Sequence, residues 1–320
     1  MRPLSISVLG GTGFVGSHLA SRLIRLGHGV QVLSRNRERH RALLVLPGLE
    51  LVNANAHDPS VLAEAFRGSD AVINLIGILN EGRGATFARV HTELARKLIG
   101  ACRSAGVGHL IQLSALGATP DAPSRYLRSK AAAERCLRED AAGVETTILR
   151  PSVIVGPGDG LTCKLAGLLG AFPLLPLARG DARLAPVVVT DVIEAIVRSL
   201  DAPQARGATL ELCGPEAFSL VSLARYVAEV RGLKRTVFAL PEPVGWLQAA
   251  LLGLVPGKPM TLDNYRSLGI DGLCREDGFA RLGIIPTSLR SVVPGYLGAE
   301  QQAARFSAYR RAAGTRIDEP

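Results

Sequence analysis

The chain has 320 residues, of which 47% are hydrophobic, 20% charged and only 4% aromatic, with a formal net charge of +9. That length accommodates one large α/β unit with an appended lobe, and the apolar content excludes general disorder. The positive balance admits nucleic acid, anionic lipid or phosphate-rich ligands. The arginines, however, are mostly scattered, clustering at Arg35, Arg37, Arg39 and Arg41 and again at Arg310, Arg311 and Arg316 without interleaved aromatic residues, so no nucleic-acid stacking platform is expected.

Apolar runs of four to six residues alternate with longer helical patterns through the first half, the rhythm of βαβ units and a parallel sheet. Strands are expected at residues 6–9, 30–33, 49–52, 71–75, 109–113 and 146–149, making a doubly wound α/β (Rossmann) sheet over residues 1–150. Beyond Arg150, prolines and glycines multiply and only short strand candidates remain, near residues 185–189 and 209–212. A smaller α/β lobe for substrate or partner, interleaved with the first, is expected over 151–299. The last residues, 300–320, read as a polar helix with a loose end.

The strongest motif follows the first strand directly: Gly10, Gly11, Thr12, Gly13, Phe14, Val15 and Gly16, with a helix beginning near Phe14. Gly10 permits a tight turn, Gly13 lets backbone approach a pyrophosphate, and Gly16 lets the helix pack closely on the sheet. The helix N-terminus then faces the phosphates with its unpaired N–H groups. At the end of the second strand an acidic residue selects NAD, whereas arginine receives the 2′-phosphate of NADP. Ser34 occupies the acidic position with no carboxylate nearby, and Arg35, assisted by Arg37 or Arg39, favours NADP(H) over NAD(H).

Tyr126 and Lys130, four residues apart on one helix face, follow the fifth strand and its terminal Ser114. A nearby ammonium lowers a phenol's pKa and readies it for proton exchange, and a strand-end hydroxyl can hold a substrate oxygen. Ser114, Tyr126 and Lys130 are thus the candidate catalytic residues. Asp191 is expected to cap or anchor the helix that follows it.

These motifs fall in order with Asn74 to Leu79, Ser114 to Ala118, Arg150-Pro151-Ser152 and Gly156 to Asp159. Together they resemble an atypical member of the extended short-chain dehydrogenase/reductases, in the group related to the nucleotide-binding accessory subunit of respiratory complex I, over roughly residues 4 to 297. The resemblance implies that Gly10, Thr12, Gly13, Phe14 and Val15 meet the pyrophosphate and that Asn55 and Ala56 line the adenine. Leu75, Ile76 and Gly77 would lie under the ribose, Lys130 would orient it, and Ser152 and Val153 would reach the nicotinamide amide. His91 stands where many extended enzymes carry an asparagine of the proton relay. It is read first as a packed core histidine, then as a substitute relay or a ligand for a different substrate.

The resemblance implies an NADP-linked oxidoreductase working through the Tyr–Lys pair; the alternatives are a non-catalytic accessory or assembly partner of a respiratory NADH:quinone oxidoreductase that keeps its nucleotide for structural reasons, and a nucleotide-ratio sensor. No charged constellation names a substrate, and a quinone- or isoprenoid-like compound suits the apolar second lobe.

No metal site is expected, since the histidines show no ligand spacing. Cys102, Cys136, Cys163, Cys213 and Cys274 lie far apart without a C-x-x-C pair, which suits a reducing compartment. No signal peptide is recognised before the first strand. The longest charge-free apolar stretch, residues 243–257, is too short to span a bilayer, which needs about 20 residues. It reads first as a buried helix, otherwise as a membrane- or partner-facing one, and residues 167–177 add a second apolar segment. The expected location is cytoplasmic, with peripheral attachment at the inner face of a membrane as a further option.

Overall fold

The computed structural model describes residues 2–38, 40, 45–82, 84–141 and 143–298. Arg39 and Arg41, and the tail with Arg310, Arg311 and Arg316, lie outside the described residues. The first half runs β1 (Ser5–Leu9), α1 (Phe14–Arg25), β2 (Gly29–Ser34), β3 (Leu49–Asn53), α2 (Pro59–Ala65), β4 (Ala71–Asn74), α3 (Leu94–Ala105), β5 (His109–Leu113), α4 (Arg125–Glu139) and β6 (Glu145–Pro151). All six expected strands are present. Their short apolar runs suit a sheet covered on both faces: in β4, Ala71 and Ile73 join one layer of the core while Val72 joins the other.

The second half runs β7 (Ile154–Val155), α5 (Thr162–Ala171), β8 (Leu174–Leu177), β9 (Arg183–Leu184), β10 (Val187–Val188), α6 (Val189–Asp201), β11 (Thr209–Leu212), β12 (Phe218–Ser219), α7 (Leu220–Val230), β13 (Thr236–Ala239), α8 (Glu242–Leu252), α9 (Leu262–Ser267), α10 (Gly278–Arg281) and α11 (Leu289–Leu297). The main sheet has seven strands in the order β11-β6-β5-β4-β1-β2-β3, all parallel. The seventh, β11, was legible only as a short strand beyond Arg150. It returns from the second half to pair with β6, Leu210 opposite Leu149. Strand order reverses between β1 and β4, so a crevice opens beyond their carboxyl ends, where doubly wound sheets bind ligands.

Two expectations are corrected. Asp191 does not cap its own helix; its carboxylate accepts from Thr287 N at 2.6 Å and Thr287 Oγ1 at 2.9 Å, anchoring the start of α11 to α6. Residues 243–257 form α8 and its following turn, but α8 is not buried. Only Gly245 and Ala249 of the helix are inside, while Trp246 is 50% and Leu251 58% exposed. Among the described residues, no helix is long and apolar enough to cross a membrane.

Cys213, just past β11, is bonded to Cys274 in the loop before α10, 61 residues away. Distance along the chain concealed this pair, because strand return and loop closure, not a motif, bring the two together. A disulfide is characteristic of oxidising compartments, and it counts against reading Cys213 and Cys274 as thiols kept reduced, whereas Cys102, Cys136 and Cys163 are free. A cross-link of that span stabilises by restricting the unfolded chain, by about 4 kcal/mol in the loop-entropy picture. Chemical denaturation with and without a thiol reductant should therefore show a stability loss of up to about 4 kcal/mol, and Cys213→Ser should abolish the difference between the two conditions.

Candidate active site

The loop after β1 has the geometry its glycines suggest. Gly10 has φ +75°, in the left-handed region that favours glycine, and its missing side chain leaves room for Leu75 and Ile76. A Cβ on Gly16 would collide with Gly10 O, so only glycine lets α1 close on the loop. Gly13 N donates to Gly10 O at 3.0 Å, completing the turn. Gly13 is the N-cap of α1, and no side chain caps the N–H groups of the first turn. That arrangement fits a pyrophosphate. Thr12, Phe14 and Val15 lie on the same loop and first turn.

On the β2–β3 side of this loop, Arg35, Asn53, Ala54 and Asn55 line a recess of about 400 Å³. Arg35 is exposed there, whereas Ser34 is buried and its hydroxyl accepts from Asn36 N at 3.3 Å. Asn55 Oδ1 accepts from His57 N at 3.0 Å, which shapes the wall beside the buried Ala56. A basic side chain at the mouth of a polar recess fits a ribose phosphate.

On the β4–β5 side, Leu75, Ile76 and Gly77 continue from the end of β4. Leu75 N donates to Leu9 O at 2.9 Å and Ile76 N to Asn74 Oδ1 at 3.1 Å, which holds this floor level with the glycine loop. Lys130 reaches it from α4. Its Nζ donates to Leu113 O at 3.1 Å and would stand 3.2 Å from a Cβ placed on Gly77. Tyr126, one helical turn earlier, packs edge-on against His91 and Phe87 with ring centroids 5.7 and 5.9 Å apart. Sequence proximity thus becomes a shared site for Tyr126, Lys130 and Gly77.

The electrostatics differ from the sequence expectation. Burial pushes the Tyr126 phenol up to about 12, and no lowering by the ammonium offsets it. Lys130 is itself pushed down to about 8 by burial, with Glu134 pulling the other way. The phenol is a neutral proton donor near pH 7.

Ser114 points elsewhere. Its hydroxyl donates to Glu134 Oε1 at 2.6 Å in a buried setting. Ser152, likewise, donates to Gly272 O at 3.0 Å, while Val153 O accepts from Val187 N. Both hydroxyl hydrogens are committed to protein oxygens rather than directed into the crevice.

Three positioning residues were not legible as such. Glu134, 1% exposed, accepts from Ser114, from Arg150 Nε at 2.9 Å and Nη2 at 2.6 Å, and from Arg138 Nη2 at 3.0 Å. Its signal was the i, i+4, i+8 stripe Tyr126–Lys130–Glu134 on one helix face. Asp263 of α9 accepts from Arg125 N at 2.7 Å and Tyr126 N at 3.0 Å, capping α4 from the second lobe; nothing local in the sequence announces a cap 137 residues away.

The third is His91, which is buried as expected of a packed histidine but also bonded. Its Nε2 accepts from Ile78 N at 3.2 Å, so the ring proton lies on Nδ1 and goes to Ser129 Oγ at 2.7 Å. Ser129 Oγ then donates to Tyr126 O at 2.6 Å. The ring sits in a π-helical turn, Ala88–Glu93, a local widening often found at functional sites.

Residues 10–163 match a family model described as NAD(P)H-binding. Over 307 residues the chain is 32% identical to NADH dehydrogenase (ubiquinone) 1 alpha subcomplex subunit 9, mitochondrial, of Arabidopsis thaliana, covering 89% of this chain and 75% of the relative. The chain belongs to the extended short-chain dehydrogenase/reductase group that includes this subunit. It is also 31% identical over 247 residues to a ceramide reductase of Caulobacter vibrioides, covering 77% of this chain and 76% of that one. Solved structures share the fold at lower identity. A Staphylococcus aureus nucleoside-diphosphate-sugar epimerase aligns with TM-score 0.74 at 20% identity, over 91% of this chain and 100% of the other. An Escherichia coli NADPH-dependent quinone oxidoreductase complexed with NADPH aligns with TM-score 0.70 at 20% identity, over 94% and 99%. As a member of this group, the chain carries an NAD(P)-binding Rossmann domain.

Glu134→Gln should destabilise the protein by about 3–5 kcal/mol, the cost of leaving Arg150 without its buried partner, measured by urea denaturation. A second expectation concerns acid. Burial pushes His91 down to about 3 and His109 to about 4, so both stay neutral when folded while the unfolded chain takes up protons below pH 6.5. Stability should fall as pH drops from about 6.5 toward 4, by up to about 1.4 kcal/mol per pH unit for each histidine. His91→Gln, compared with the unsubstituted protein across that window, should show the shallower slope.

Proposed function

We propose that this member of the group is an NADP-linked oxidoreductase that interconverts a carbonyl and an alcohol through Tyr126 and Lys130. The observation that carries the reading is the position of Lys130 Nζ beside Gly77 at the end of β4. That point lies across the glycine loop from Arg35, as the strand order β4-β1-β2 requires. A dinucleotide laid over the switch point would have its adenosine end at Arg35, Asn55 and Ala56 and its nicotinamide end over Leu75, Ile76 and Gly77.

The bound nicotinamide cofactor supplies the hydride. Lys130 orients the ribose hydroxyls and carries the positive charge that favours negative charge developing on the substrate oxygen. Tyr126, a neutral phenol held high by burial, gives its proton to that oxygen when the carbonyl is reduced and takes it back when the alcohol is oxidised. Among the described residues the phenol oxygen has no hydrogen-bond partner, which leaves it available to substrate. Ser114 supports the pair indirectly by holding Glu134, and Ser152 and Val153 border the nicotinamide end. Arg35, with Arg37 nearby and Ser34 in the acidic position of NAD enzymes, favours NADP(H) through a charge-assisted contact to the 2′-phosphate. An apolar substrate such as a quinone- or lipid-like carbonyl suits the second lobe.

The second reading, an accessory or assembly partner of a respiratory complex with a retained nucleotide, is favoured by the 32% identity to the complex I subunit. One experiment separates the two. The nucleotide released from purified protein is identified, and turnover is followed with a panel of ketones and quinones. NADP(H) that cycles and slows about 100-fold or more in Tyr126→Phe supports the enzyme. Nucleotide that stays inert, while its removal lowers the melting temperature, supports the scaffold. Arg35→Ala should weaken NADPH about 10- to 100-fold, equivalent to about 1.5–3 kcal/mol, and leave NADH binding unchanged.

A further inference from the structure

An apolar surface helix in water calls for an explanation, and α8 has an apolar residue or glycine at nearly every position. Gly245 and Ala249 face inward, and Gln248 pins the helix to the free edge of β8. The Gln248 Nε2 donates to Pro176 O at 3.0 Å, and its Oε1 accepts from Ala178 N at 3.0 Å. Ala250 and Leu252 are half-buried, and the larger apolar side chains are exposed. Val244, Leu247 and Leu251 form one stripe at i, i+3 and i+7, and Trp246 flanks it, all of them about half exposed. Leu254, in the turn that follows, is 84% exposed.

The surface continues along β8. Leu174 and Pro176 share the outer face of the strand pair with Phe238, since Pro176 lies opposite Phe238 in the register. Leu174 and Phe238 are both exposed, as are Leu168 and Phe172 at the end of α5. Monomeric proteins seldom leave so many large apolar side chains on neighbouring elements open to water.

The charges around it indicate what covers it. Lys164 lies one turn before Leu168 on the exposed side of α5. Lys234 leads into β13 beside that corner, where Arg235 Nε donates to Leu169 O at 2.7 Å. Lys258 stands exposed in the turn after α8. The one acid of α8, Glu242, is paired with Arg179 at 2.8 Å. An apolar centre carrying a tryptophan, with a lysine rim and its acid neutralised, has the chemistry of an interfacial membrane-binding face. A chain of net charge +9 is drawn to an anionic surface.

We infer that α8 and the adjoining β8–β13 corner form a docking face for an anionic lipid bilayer, with Trp246, Leu247 and Leu251 entering the headgroup–acyl boundary. The face extends to the mouth of the crevice. Lys258 Nζ donates to Glu81 O at 2.8 Å and Asn264 Nδ2 to Leu79 O at 3.3 Å, joining the turn after α8 and helix α9 to the loop that follows Gly77. Docking would therefore turn the Tyr126 end of the site toward lipid. That consequence rests on the oxidoreductase reading, but docking itself does not.

The test uses the full chain, whose single tryptophan is Trp246. Protein is mixed with phosphatidylcholine vesicles with and without phosphatidylglycerol, and both tryptophan emission and co-sedimentation are recorded. The expected result is a blue shift and sedimentation with the anionic vesicles, weakened by salt. Leu247→Glu/Leu251→Glu should reduce the bound fraction about tenfold or more while leaving nucleotide binding unchanged, since both residues are solvent-facing. Trp246→Phe should still sediment. Failure of the unsubstituted protein to bind either vesicle type would overturn the inference, as would vesicle binding untouched by the double substitution. A dimer that the double substitution converts to a monomer, without any vesicle binding, would assign the face to a second copy instead. None of these outcomes depends on catalytic turnover.

Discussion

The candidate site is organised around one buried carboxylate. Glu134 draws together the end of β5 through Ser114, the end of β6 through Nε and Nη2 of Arg150, and the later turns of α4 through Arg138. A charge this far from water is tolerable only when its lone pairs are filled, and here both oxygens are. The result is that α4 has one rotational setting on the sheet. That setting brings Lys130 to Leu113 O and Gly77, and places Tyr126 against His91 and Phe87. The other end of α4 is fixed independently by Asp263, so the helix bearing Tyr126 and Lys130 is tied down at both ends by groups from other elements.

What the sequence made legible follows from the range of the interactions. Six strands, the helix from Phe14 and the glycine turn are short-range patterns: apolar runs of the right length, and glycines whose spacing answers to local sterics. They appear where they were expected. The pair Tyr126 and Lys130 was also local, being one turn of helix. Apart from the Tyr126 phenol, which burial raises where its neighbour Lys130 was expected to lower it, the misreadings are long-range. Ser114 ends a strand as foreseen, but what its hydroxyl touches depends on Glu134, twenty residues later. Cys213 and Cys274 pair because β11 rejoins the sheet. Asp191 reaches Thr287 rather than its own helix. Residues 243–257 are helical, yet composition alone could not distinguish a helix covered by the fold from one resting at its surface on Gly245 and Ala249.

The Tyr126–Lys130 pair and the nucleotide-binding fold bear differently on the two functional readings. In this protein burial shifts both the Tyr126 phenol and the Lys130 ammonium toward their neutral forms, with Glu134 opposing the shift at Lys130. A subunit that keeps a nucleotide only for stability has no need of such a pair, although it needs the same glycine turn and the same uncapped helix. The glycine loop therefore supports both readings equally, and α4 is what separates them.

The seventh strand imposes an order on how the chain can be assembled. β6 ends at Pro151, but the strand that covers its open edge, β11, spans Thr209–Leu212. During synthesis the N-terminal half emerges with a hydrophobic, parallel-pairing edge and no partner for it until some sixty further residues have been made. Such an edge is a template for pairing with other chains, and a closure at this sequence separation is slow relative to the local βαβ contacts. A fragment stopping at residue 150 would expose the same edge permanently. The two halves share one sheet through the β6–β11 pairing, so a boundary drawn by sequence motif at residue 150 runs through that sheet.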